Sequence, residues 1–337
     1  MRHVIVRSEQ RLELREDRTV KTLAALVLLA GCGGDDGGVT GGPDASVGDV
    51  TPLVGTISVN LVPELMSAGT TTPAHSALLG KVFDGPQPDA VIWEKQTTSG
   101  DCTLYTPRVP FCATPCGPSA VCVETDTCKA YPTAQLLGDI TVTGLVTTGG
   151  ESSFTMKAIA NAYQPPSSIQ LDYPTFHEGE KFEMKTAGSS FAPSFTIGTR
   201  GVAPLVLTTS PINLAQNTPL ALAWTAPAAQ GSTIHIKLDI SHHGGSKGKL
   251  ECDVADSGST TIEGAVMTQL LNLGAAGYPT IIVTRSHAGS AAVSAGRVDL
   301  LAVSTVEKPV NVPGIVSCTD TTECPMGQTC QSDLTCK

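Results

Sequence analysis

From residue 53 onward the apolar positions of this chain alternate with polar or small ones. Ile57, Val59 and Leu61 are spaced by single residues, as are Phe154, Met156 and Ala158, and Leu220, Leu222 and Trp224. The longest run sets Ile234, Ile236, Leu238 and Ile240 against His235, Lys237, Asp239 and Ser241. A period of two over eight residues makes a strand with one dry face and one wet face. Turn signals punctuate these runs at Asp84-Gly85-Pro86, Gly149-Gly150 and Gly244-Gly245. Their spacing suits antiparallel sandwiches and not βαβ units. One helix is expected over 263–273, where Val266, Leu270 and Leu273 share a face beside Met267 and Gly274 stops the run. The chain therefore reads as all-β: tandem antiparallel β-sandwich domains with small disulfide-rich modules.

A boundary is expected near residue 200, at Thr199-Arg200-Gly201. Residues 53–200 form a first β domain carrying a Cys-rich insertion at 102–128. Residues 201–312 form a second, with strands expected near 203–208, 218–224, 233–240, 249–254, 279–284 and 297–303. In size and strand number this second segment resembles an immunoglobulin-like sandwich. The resemblance implies that Trp224 packs in the core, as the strand-C tryptophan does in such domains. The paired cysteines of antibody domains have no counterpart here. Residues 313–337 close the chain as a second Cys-rich module.

Composition narrows the classes of function. Charged residues make up 15%, the formal net charge is −10, and apolar residues make up 41%. An acidic balance argues against a nucleic-acid surface, and low charge with ample apolar content argues against disorder. Eleven cysteines, bunched in two places, argue for an oxidising compartment.

Those cysteines repeat. Cys112, Cys116, Cys122 and Cys128 are separated by three, five and five residues; Cys318, Cys324, Cys330 and Cys336 by five each time. Both sets end Thr-Cys-Lys. This reads as one four-cysteine module used twice, and it resembles the short extracellular Cys-rich knots found beside EGF-like repeats. Zinc sites usually place neighbouring cysteines two to four residues apart, so disulfides are expected. Four cysteines allow three connectivities; first to third with second to fourth is the preferred one. Cys102 and Cys252 remain. Cys252 alternates with Leu250 and Val254 and should face the core, either bridged to Cys102 across about 150 residues or as a buried thiol.

The N-terminus carries an address. A short apolar run from Leu23 to Leu29 follows Lys21 and ends in Leu29-Ala30-Gly31-Cys32. This is similar to the lipobox of bacterial lipoproteins. The resemblance implies cleavage before Cys32, a diacylglycerol on its sulfur and acylation of its new amino group. The run is far shorter than the roughly 20 residues of a spanning helix. Residues 1–19 carry Glu9, Glu13, Glu16 and Asp17 where a signal should be basic; they read as a mis-assigned start, with a GTG codon at Val20. Segment 1–31 thus lies outside the fold. Residues 32–52 supply the lipidated cysteine and a Gly/Asp-rich tether, spanning roughly 20–25 Å as flexible coil. Gly33 after the cysteine implies, by the same resemblance, the outer membrane. An acidic chain avoids anionic lipid, so attachment rests on the acyl chains.

Polar clusters are few. His242-His243-Gly244-Gly245 could hold a metal with His235, Asp239 or Asp253, but reads as a solvated hairpin end. It has no esterase context, since the chain has no alternating β/α pattern. Asp253 to Gly258 lacks the EF-hand spacing and reads as a turn. Asp172 and His177-Glu178-Gly179-Glu180 offer carboxylates without a defined glycosidase pair. No catalytic set, metal site or cofactor is expected. The expectation is a non-catalytic binding or structural lipoprotein of the outer membrane, facing the periplasm or the surface. It would be anchored to the membrane by its lipid, with a glycan or an envelope protein as ligand. The alternative is a lipid-tethered, glycan-active hydrolase.

Overall fold

A computed structural model describes residues 51–67 and 70–337; Cys32, the signal segment and most of the tether lie outside them. In chain order the strands are β1 (Leu53–Val62), β2 (Leu65–Ser67), β3 (Thr70–Thr72), β4 (His75–Phe83), β5 (Ile92–Ser99), β6 (Cys102–Arg108), β7 (Ala120–Glu124), β8 (Thr127–Ala130), β9 (Ala134–Gln135) and β10 (Ile140–Thr143). They continue as β11 (Ser153–Met156), β12 (Lys181–Thr186), β13 (Thr196–Arg200), β14 (Leu220–Ala223), β15 (Thr233–Asp239), β16 (Lys249–Ala255), β17 (Ser259–Ile262), β18 (Thr280–Val293) and β19 (Gly296–Pro309). The helix α1 (Gly264–Asn272) lies between β17 and β18. The chain is all-β, with disulfide-rich modules attached.

Nine strands form one sheet in the order β5-β6-β16-β15-β18-β19-β1-β4-β9. Every pairing in it is antiparallel except β1 with β19. A four-stranded sheet, β11-β10-β12-β13, and the pair β14–β17 are separate from it. On a flat sheet Phe83 and Ile92 would stand more than about 50 Å apart, seven strand spacings across and a dozen residues along. Residues 84–91 join them and reach about 30 Å. The sheet must therefore coil strongly, as right-handed strand twist allows.

The long hairpin β18–β19 is paired along its whole length, Thr280 with Pro309 through to Val293 with Gly296. β15 joins the first half of β18, and β1 joins the first half of β19. One face of this hairpin reads as three zones. Ile281, Val283 and Val306 belong to one buried apolar cluster, with Leu222, Trp224, Ile236, Leu250 and Leu270. Val298, Leu300 and Ala302 belong to a second, with Ile57, Val59, Ile140, Met156 and Phe182. Between them lie Arg285, Ser304 and His287, then Gly289. Here Ser304 Oγ accepts from the Leu205 amide at 2.8 Å, and Thr199 Oγ1 lies 2.9 Å from His287 Nδ1. A side chain at Gly289 would overlap the carbonyl oxygen of Gly198, so β13 crosses the hairpin where neither strand has a side chain to keep them apart.

Arg285 is completely buried. Its Nε and Nη2 donate to Asp256 at 2.6 and 3.0 Å, and its remaining protons go to the carbonyls of Thr225, Ala203 and Pro204. Asp256 also accepts from Trp224 Nε1 and Ser232 Oγ, both at 2.7 Å. A dry charge needs this full complement of partners.

The expected boundary near residue 200 is where the chain crosses this polar seam, from Val202 in one core to Leu205 in the other. The large sheet is continuous across it: β5 and β6 from the first half pair onto β16, and β19 from the second half pairs onto β1. Residues 203–208 are not a strand. They make a single bridge, Leu207 to Trp224, because Pro204 has no N–H to give and the carbonyls of 203 and 204 face Arg285. Ser259–Ile262 is a strand that the alternation did not reveal, and β18 and β19 run well past their expected ends. Trp224 is buried, and α1 packs Val266, Met267 and Leu270 inward before Gly274, at φ +86°, ends it.

Removing one member of the buried pair leaves the other charge unmatched, which costs about 3–5 kcal/mol. Arg285→Met and Asp256→Asn should each lower unfolding free energy by that order in urea titrations. The double variant should lose clearly less than the sum. Additive losses would mean that the two do not act as a pair.

Candidate functional site

The polar residues picked out by sequence do not converge. His242 and His243 sit in the turn from β15 to β16. Asp239 shapes that turn by accepting from the Ser241 amide at 2.9 Å, and the Ser241 hydroxyl then accepts from the Lys247 amide at 3.0 Å. His243 is exposed and left-handed, at φ 62°, and its ring lies 3.9 Å from that of His242. His242 is half-buried between two carboxylates, with Nδ1 4.0 Å from Asp239 and Nε2 3.9 Å from Glu307. Its two nitrogens thus face different carboxylates. His235 pairs instead with Asp253 at 2.8 Å, about 13 Å along β15 from Asp239 at 3.3 Å per residue. The three residues weighed as joint ligands with His242 and His243 therefore fall into two separate contacts, His235 with Asp253 and Asp239 with His242.

Among the described residues, ligand atoms gather in threes within 4.8 Å only at Cys112, Cys116 and Cys122 and at Cys318, Cys324 and Cys336. All of these sulfurs are in disulfides, which have no thiolate to offer a metal. The bonds are Cys112–Cys122 and Cys116–Cys128 in the first module and Cys318–Cys330 and Cys324–Cys336 in the second. This is the first-to-third, second-to-fourth pattern in both. Cys102 and Cys252 are direct cross-strand partners on β6 and β16 and are bonded, closing 150 residues. That bridge lies within one sheet, unlike the inter-sheet bridge of antibody domains.

The carboxylates considered for glycoside chemistry have local partners. Asp172 accepts from Thr148 Oγ1 at 2.9 Å, and Glu178 accepts from the Ala229 amide at 2.9 Å. The Asp253–Gly258 segment is the end of β16 and the turn into β17, and its Asp256 faces inward to Arg285.

Two clusters had no signal in the sequence. Lys249, on the outer face of the large sheet, is almost fully buried. Its Nζ sits 2.9 Å from Glu251, 4.2 Å from the Trp93 ring centre and 5.9 Å from that of Tyr105. It is held by one carboxylate and two aromatic faces. Trp93 reaches it from β5, more than 150 positions earlier, so no local pattern could announce the contact. In the C-terminal module Asp333 is held down to about 2, chiefly by the Lys337 ammonium 2.5 Å away and then by the Thr335 hydroxyl. The backbone of Asp333 also docks the module: its carbonyl accepts from the Gly277 amide at 2.7 Å, while Ser317 Oγ donates to the Gly277 carbonyl at 2.5 Å.

No helix among the described residues is long and apolar enough to cross a membrane. Comparison with known protein families finds no match, and neither does comparison with curated proteins.

Three outcomes follow from this geometry. Replacing His242 and His243 together by Asn should change stability by no more than about 0.5 kcal/mol, as at an ordinary surface turn; a large loss, together with stabilisation of the unaltered chain by zinc or copper that the variant lacks, would contradict this. Removing the Cys102–Cys252 bridge by a double Ser substitution should cost up to about 5 kcal/mol, the chain-entropy ceiling for so long a loop. Asp333 has its acidity raised by folding, so its stabilising contribution is complete above the unfolded carboxylate range near 3.9. It disappears as pH falls toward 2. Carboxyl NMR should show Asp333 still ionised at pH 3, and a midpoint near 4 would remove the Lys337 contact.

Proposed function

We propose that this chain is a lipoprotein anchored in the outer membrane through Cys32, and that it binds or supports other envelope components without catalysing a reaction. The observation that carries the reading is Leu29-Ala30-Gly31-Cys32 after a short apolar run, followed by a Gly/Asp-rich stretch with no aromatic residue. Lipid on Cys32 holds the chain, and the tether sets the body away from the bilayer. Five disulfides suit an oxidising envelope.

The described body is compatible with a tether at one end. The chain enters at Thr51 and Pro52, whose carbonyls accept from Arg297 beside the β18–β19 turn. The C-terminal module docks at the other end of that hairpin, about 45 Å away at 3.3 Å per residue. The non-catalytic part of the reading is favoured by the way the candidate acids and histidines are spent on local pairs and turns. The ligand is taken to be a glycan or an envelope protein.

Cys32→Ser should leave unprocessed precursor or release the protein, and it should abolish palmitate labelling. A variant that still labels and still fractionates with outer membrane overturns the anchor. Pull-downs of isolated glycans and envelope fractions with the full chain test the ligand class, and turnover of a glycan by the chain would replace binding with hydrolysis.

A further inference from the structure

The two cysteine modules can be compared residue by residue, because Cys116, Cys122 and Cys128 have the same spacing as Cys324, Cys330 and Cys336. The match is geometric as well. The equivalent bridges have the same Cα separations, 5.9 Å for Cys112–Cys122 and Cys318–Cys330, and 5.5 Å for Cys116–Cys128 and Cys324–Cys336. Cys122 pairs across a hairpin with Cys128, as Cys330 does with Cys336. The tip residue is left-handed in both, Asp126 at φ 53° and Leu334 at φ 56°.

The modules differ in what lies beside the second hairpin strand. In the C-terminal module a third segment, Val316 to Cys318, runs antiparallel along it. Ser317 bridges Thr335, the Cys336 amide donates to Val316 at 2.9 Å, and the Cys318 amide donates to Leu334 at 3.0 Å. Thr335 and Cys336 are consequently 1% and 7% exposed. In the first module the corresponding segment stays at the hairpin tip, with the Asp126 amide donating to the Phe111 carbonyl at 3.1 Å and the Ala113 amide to Asp126 Oδ1 at 2.7 Å, and makes no backbone hydrogen bond to Cys128 among the described residues. All four residues of β8 are exposed, and β8 pairs only with β7. Beside it Val109 and Phe111 are 69% and 73% exposed.

We infer that β8 of the first module is a docking edge for an extended polypeptide segment of a partner protein, which adds as an antiparallel strand beside Cys128 and Ala130, as Val316 lies beside Cys336 in the second module. In the ladder set by Cys122 with Cys128, and matched by Cys336 giving its amide to Val316, the N–H and C=O of Cys128 point outward. An uncovered strand edge offers just these groups to an incoming strand, and Val109 and Phe111 supply the apolar flank. The inference rests on the reading of the chain as a binding protein and names its partner class. It is independent of the lipid.

The test uses the full chain and a synthetic peptide of residues 313–320 with Ser for Cys318, the sequence that covers the equivalent edge. In the free chain, hydrogen exchange at Cys128 should be fast and at Cys336 slow. Saturating peptide should slow exchange at Thr127–Ala130 about tenfold, as a site mostly occupied requires, and a scrambled peptide should not. The inference is overturned if Cys128 is already as protected as Cys336 in the free chain, or if the peptide leaves the β8 amides unchanged. Since the measurement is made without membranes, failure of the anchor and failure of the docking edge are separate results.

Discussion

Two strands of fourteen residues, paired from Thr280–Pro309 to Val293–Gly296, constrain the rest of this molecule. A hairpin of that length is too long for one sandwich core, so its buried face must serve two. The apolar residues at each end do so. The middle cannot be apolar without merging the cores, and it holds Arg285, Ser304, His287 and Gly289 instead. Burying Arg285 then dictates its surroundings: a carboxylate at residue 256, carbonyls at 203, 204 and 225, and a chain that crosses between the cores just there. Glycines at 198 and 289 let β13 cross the hairpin at the same level. The polar seam separates the cores while the hairpin joins them.

What could be read from the sequence follows from locality. Strands with one dry face, such as β1, β15 and β16, announce themselves through a period of two, and α1 through its 3.6-residue period and Gly274. The cysteine repeat was legible because its spacing is a local fact. The second half of β18 was not: Ala288, Gly289, Ser290, Ala291 and Ala292 are too small to show a period. Residues 203–208 looked like a strand because Leu205 and Leu207 alternate, yet their carbonyls are committed to Arg285. Asp256 and Arg285 resemble ordinary surface charges, as do Lys249 and Glu251, because partners dozens of positions away decide their burial. The same holds for the polar clusters weighed as sites: only the fold separates His235 from His242.

The cysteine modules add a different kind of constraint. One is docked through Gly277, with its hairpin edge covered by its own chain; the other follows β6, and its hairpin edge is uncovered at Cys128. A compact knot held by two disulfides keeps its edge strand in place without a core beneath it, which suits a surface that must stay exposed yet ordered. On the proposed reading, in which lipid holds the chain at one end, rigid and exposed polypeptide edges are natural points of contact.

The central claim is that the hairpin makes one cooperative body of two apolar cores. Differential scanning calorimetry of the oxidised chain tests it most directly. One unit predicts a single transition whose calorimetric and van't Hoff enthalpies agree. Two resolved transitions, or a calorimetric enthalpy about twice the van't Hoff value as two independent domains of similar size would give, would contradict it.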